Sequence, residues 1–98
     1  MEKEYKYLVC SLENIVYATE EITSWNISHK IGELQCYTNR SQHYLHELKQ
    51  IEANWSNINL DRVDTLLNLI SILNRDPLNS LWSIKIYAQE CLKTLLSE

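Results

Sequence analysis

The sequence predicts an all-α fold, a four-helix up-down bundle or a more open two-plus-two arrangement of the same helices. Three observations carry that expectation. The 98 residues contain one Gly and one Pro, whereas a β-sandwich or barrel reverses direction every 8–12 residues or so and relies on such residues to do it. Apolar residues recur at steps of three and four almost from end to end, the period of a helix with one buried face. Runs of Asn and Ser fall between the periodic segments, where short polar side chains cap helices and shape turns. The scarcity of glycine also excludes a P-loop or a dinucleotide-binding fold, since both need glycine where backbone meets phosphate.

The elements follow in order. Tyr5, Leu8, Leu12, Ile15, Thr19 and Ile22 form one stripe, widened by Val9 and Val16, with Glu13, Glu20 and Glu21 off it. This predicts a helix over about 4–23. Ser24-Trp25-Asn26-Ile27-Ser28 offers several caps in a row and predicts a turn. A second helix is expected over about 27–54 on Leu34, Tyr37, Ser41, Tyr44, Leu48, Ile51 and Trp55, with Gly32 marking a fray or a close helix contact. The stretch 54–59 reads as a loop, and Asn59 as the N-cap of a third helix over about 60–74. Asp61 and Asp64 suit its positive end. Leu60, Val63, Leu66, Leu67, Ile70 and Leu73 give it a wide stripe with Leu69 and Ile72 as flanks, so it should be the most buried helix. Asp76-Pro77 predicts the start of a fourth helix over about 77–96, with Asp as cap and Pro at the first helical position. Leu81, Ile84, Ala88, Cys91 and Leu95 make its seam. The short connection makes helices three and four antiparallel neighbours. Without a repeat, a linker or a low-complexity tract, residues 1–98 read as one helical domain.

Charge and cysteine narrow the function classes. Nine Lys+Arg against thirteen Asp+Glu give a net charge of −4. The basic residues are scattered singly, so no nucleic-acid partner is expected. No apolar run approaches the length of a bilayer span, so no membrane is expected either. Cys10, Cys36 and Cys91 form no CxxC pair. With no leader segment readable, they fit reduced thiols in a cytoplasmic protein.

Two clusters suggest chemistry. His43, His46 and Glu47 lie within one helical turn and carry metal-ligand side chains, giving a metal-binding regulator as one alternative. Their order matches neither H-E-x-x-H nor H-x-x-E-H, and a solvated polar face is the default reading of them. Arg40 and His46 fit the loose R-x4–6-H spacing of helical ribonucleases of the HEPN class, giving a ribonuclease or its antitoxin as another. There Arg would stabilise phosphoryl charge and His would move the 2′-hydroxyl proton. On one straight helix, however, these two side chains point about 120° apart. No Gly-rich elbow surrounds a Ser and no Cys has a His within a turn, so no enzyme and no cofactor are expected.

The positive signal is aromatic. All nine aromatic residues are Tyr or Trp, each pairing a ring with a polar tip, the kind of side chain favoured where a surface is covered by a partner. Helix four also carries apolar residues around much of its circumference, more than one seam can cover. Trp82, Ile86, Tyr87, Tyr17 and Trp25 lie off the predicted seams and are the expected interface. The sequence therefore reads as a small non-enzymatic protein-binding module, an adaptor, chaperone or inhibitor of the immunity-protein kind. Its partner would be another protein, or a second copy in a homodimer.

Overall fold

The computed structural model describes residues 2–50 and 59–96. Within them the chain forms helices α1 (Glu2–Glu20), α2 (Ile27–Gln50), α3 (Leu60–Leu73) and α4 (Leu81–Leu96), with a 3-10 turn at Pro77–Asn79 before α4. There is no strand among the described residues. None of these helices is long and apolar enough to cross a membrane.

The periodic stripes turn inward as expected. Leu8, Leu12 and Ile15 from α1, Leu34, Leu45 and Leu48 from α2, Val63, Leu67 and Ile70 from α3, and Ile84, Ala88, Cys91 and Leu95 from α4 fill one apolar cluster. Each helix packs on two others: α1 on α2 and α4, and α3 on α4 and α2. The result is a closed ring and not an open pair of hairpins. Cross-helix contacts fix the directions. Lys30 reaches Glu21 (3.1 Å) while Tyr7 stacks near Tyr44 (5.2 Å), so α1 and α2 are antiparallel. Glu20 pairs with Lys85 (2.9 Å) and the Tyr5 hydroxyl donates to the Leu95 carbonyl (2.9 Å), so α1 and α4 are too. The bundle measures 44 × 20 × 20 Å. Most of its length is that of α2, whose 24 residues span roughly 36 Å at 1.5 Å each.

The described boundaries depart from the sequence expectation at the end of α1, the end of α3 and the start of α4. α1 stops at Glu20, three residues short of 23, because the Asn26 side chain ties down the next segment. Asn26 Oδ1 accepts from the Thr23 N–H (2.8 Å) and its Nδ2 donates to the Glu21 carbonyl (3.0 Å). The Asn26 carbonyl then accepts the first α2 bond, from Lys30 N–H. The expected turn is thus formed, with the non-helical stretch beginning at Glu21 and α2 starting at Ile27 as expected. α2 is described to Gln50; the expected continuation to 54, the seam residues Ile51 and Trp55 and most of the 54–59 loop lie outside the described residues. α3 ends at Leu73, with Asn74 as its C-cap. The fourth helix begins at Leu81 and not at 77. Pro77 opens a 3-10 turn, and the Asp76 carboxylate accepts from the Asn79 side chain (2.9 Å) instead of capping a backbone N–H. The Ser80 carbonyl accepts the first α4 bond from Ile84. At the other end of α3, Asn59 caps as expected, its Oδ1 accepting from Arg62 N–H (3.0 Å).

Two further expectations are corrected. Gly32 is neither a fray nor a close contact, since α2 runs through it and a Cβ there would meet nothing within 4 Å. Leu69 and Ile72 do not deepen the burial of α3 but lie exposed on its outer side. In a ring of four, each helix has two neighbours, and they cannot cover an apolar arc wider than about half the circumference.

Candidate functional site

α4 divides its residues cleanly. Ile84, Ala88, Cys91 and Leu95, at helical spacing, are fully buried. Trp82, Ile86, Gln89 and Lys93 recur at the same spacing on the opposite side, facing away from the core. The Trp82 ring is 75% exposed. Its neighbour one turn on, Ile86, is half-buried.

The Glu20–Lys85 ion pair joins this face to α1. Tyr17 lies one turn before Glu20, and Trp82 lies one turn before Lys85, so both rings flank the same bridge. Tyr17 is 56% exposed. Tyr17, Trp82 and Ile86 are therefore brought to one face across the α1–α4 seam. Leu78, in the 3-10 turn before α4, is exposed as well.

The other two expected interface residues do not join them. Tyr87, about 140° around α4 from Trp82, is partly buried and packs against the core. Trp25 sits in the α1–α2 corner, 95% exposed, its backbone N–H donating to Thr23 Oγ1 (3.3 Å). The expected interface leaves out Leu69, Ile72, Leu96 and Tyr7, which are exposed. The signal for Leu69 and Ile72 is the excess apolar arc of α3, which is as consistent with an exposed flank as with depth of burial.

The residues of the two chemical alternatives engage other groups. The Arg40 guanidinium lies over the Tyr37 ring, 5.7 Å from its centroid, while His46 Nε2 contacts Gln50 Nε2 at 3.1 Å. The chain does not itself bring Arg40 and His46 together. His43 meets the edge of Tyr44, its ring centroid 5.5 Å away. Among the described residues, no group of three or more His, Cys, Asp or Glu side chains is placed to hold a metal ion.

The cysteines differ in exposure. Cys10 and Cys36 are free and exposed, and Cys91 is buried. Burial in the core pushes the Cys91 thiol up to about 12, so it stays protonated and packs as a small apolar group beside the Val63 carbonyl (3.9 Å).

What the α1–α4 face offers is apolar area, aromatic rings and their polar tips around an exposed ion pair. Covering a ring as exposed as Trp82 withdraws on the order of 150 Å² from water, about 4 kcal/mol of gross driving force at ~25 cal/mol per Å². Compared with protein-family models, with curated proteins and with solved structures, the chain matches none. Its geometry is the sole guide to what it does.

Proposed function

We propose that this chain is a small non-enzymatic binding module that buries the aromatic–apolar face of α4 and α1 against a protein partner. It would act in the cytoplasm as an adaptor, chaperone or inhibitor. The observation that supports this most is the exposure of Trp82 and Tyr17, each one turn from the Glu20–Lys85 bridge. Indole and phenol rings of this kind dominate binding hot spots because they bury much area with few rotors and keep one hydrogen bond to offer. A charged bridge between them suits a rim, where it fixes orientation more than it adds affinity. A second copy of the chain is one such partner, since a face of this type can pair with itself about a two-fold axis.

Trp82→Ala tests the reading. Its folded stability should stay within about 0.5 kcal/mol of the parent, as for an exposed position. Self-association by sedimentation, or capture of a partner identified by mass in a native pull-down, should weaken. If the variant unfolds, Trp82 belongs to the core and the face loses its main anchor. If association is unchanged, binding lies elsewhere.

A further inference from the structure

The α1–α4 face carries its charges in two rows. Glu13, Tyr17 and Glu20 follow one another at steps of four and three along the outer side of α1, and all three are exposed. Trp82, Lys85 and Lys93 share the outer side of α4. The Glu20–Lys85 bridge (2.9 Å) sets the two rows level with each other. Glu13 lies seven residues from Glu20, and Lys93 eight from Lys85. Because the helices are antiparallel, both lie in the same direction from the bridge, roughly 11–12 Å away. Neither Glu13 nor Lys93 has an ion pair among the described residues. One row is therefore acidic and the other basic, and each carries a free charge at the same height.

We propose that a second copy of this chain covers the face, about a two-fold axis that lies in the interface and runs parallel to the bundle. This rests on the reading of the α1–α4 face as the binding surface, and adds its occupant. Rotation about such an axis exchanges left for right and keeps height, so α1 of each copy meets α4 of the other. Glu13 then faces Lys93 of the second copy, and the pair occurs twice. Lys6, two turns before Glu13, lies near the end of the other copy's α4, whose last carbonyls carry partial negative charge. Toward the opposite end of the face the two bridges come together, and Glu20 and Lys85 of both copies alternate in sign. Tyr17 and Trp82 lie on either side of that quartet. An axis across the helices would instead set α1 on α1, and like charges set face to face oppose association. A partner of uniform charge would satisfy one row and oppose the other. The area also suffices. A side 44 Å long and 20 Å wide projects roughly 900 Å², and a stable interface takes about 800 Å² from each partner.

Sedimentation equilibrium of the full chain should show a species of twice the chain mass. Charge exchange then tests the pairing. Glu13→Lys or Lys93→Glu alone sets like charges together at both symmetry-related pairs, and should weaken association about tenfold. An equimolar mixture of these two variants should associate like the parent, because each exchanged charge then meets its opposite in the other variant. Both positions are exposed, so circular dichroism should show each variant folded as the parent. Trp82→Ala should weaken association more than either charge variant. A parent that stays monomeric at millimolar concentration overturns the second-copy assignment. If Trp82→Ala then loses capture of a different protein, the binding face itself survives with another occupant. A dimer of equal strength in the single charge variants, or one not recovered in their mixture, overturns the two-fold arrangement. If that dimer is also indifferent to Trp82→Ala, the face and the function read from it fail together.

Discussion

Between α1 and α4, Leu8, Leu12, Ile15 and Val16 share one apolar cluster with Ile84, Ala88, Cys91 and Leu95. Leu34, Leu45 and Leu48 of α2 and Val63, Leu67 and Ile70 of α3 belong to the same cluster, but between these two helices polar contacts are added: Thr38 to Asn74, Gln42 to Asn68, and Lys49 to Asp61 and Asp64. The difference begins in α2, whose buried residues run Leu34, Thr38, Ser41, Leu45, Leu48, apolar at both ends and polar in the middle. Two buried polar atoms lack partners among the described residues, Ser41 Oγ and Asn74 Oδ1, and both belong to these two elements. An apolar seam gains stability from any close-packed arrangement of about the right volume. A buried polar pair is satisfied in one register only, and penalises every slip by leaving a donor or acceptor stranded. The shared apolar cluster supplies the cohesion, and the polar contacts specify how far α3 slides along α2.

The largest effect should come from the apolar side. Leu12→Ala, at a fully buried position, is expected to cost about 2–5 kcal/mol. Urea denaturation should show a lower midpoint with an unchanged slope. A loss under 1 kcal/mol would mean that the cluster collapses around the gap and is looser than its burial implies.

The polar seam predicts a characteristic non-additivity. Asn74→Ala alone removes the donor to Thr38 and should cost about 1–3 kcal/mol, since it opens a gap at a buried site. Replacing both partners, with Thr38→Val and Asn74→Leu, should be close to neutral, because no polar group then remains stranded. A double variant as unstable as the sum of its parts would show that the pair does not act as a unit.

Alkaline pH separates the seams further. The Cys91 thiol is raised from an ordinary 9.0 to about 12 by burial. Above pH 9 the unfolded chain loses this proton while the folded chain keeps it, so the unfolded state binds fewer protons and stability falls. The slope should approach about 1.4 kcal/mol per pH unit between pH 9 and 12. Comparing Cys91→Ala with the parent cancels the other titrating groups, and the variant should lose this part of the slope. Identical slopes would mean that Cys91 ionises within the fold.

Much of this was legible from spacing. The seam Ile84, Ala88, Cys91 and Leu95 and the cap at Asn59 follow from period and from a single side chain acting over three residues. The corners were harder, because Asn26 and Asp76 can bond forward or backward along the chain, and only the packed structure selects backward for Asn26 and the Asn79 side chain for Asp76. The polar contact between α2 and α3 was the least legible part. Ser41 was placed on the α2 stripe, but Thr38 falls between predicted seam positions and Asn74 stands at a helix end, where Asn usually meets solvent. Their pairing spans 36 residues, beyond the reach of any local pattern. At the α4 face, the sequence identified surplus apolar side chains but not which neighbours would flank them.

The ring has three sides that join consecutive helices and one that does not. The α1–α4 side is closed by the Tyr5 hydroxyl on the Leu95 carbonyl, across 90 residues of chain. Such a closure carries the greatest loop entropy of the four, and contacts of that kind form late. Assembly would then begin with the α1–α2 and α3–α4 hairpins and finish by docking one on the other. Tyr5→Phe should leave the folding rate nearly unchanged and speed unfolding, a difference stopped-flow kinetics can resolve. The surface that carries Tyr17, Trp82 and Ile86 straddles that last seam, so it exists only once the final docking step is complete.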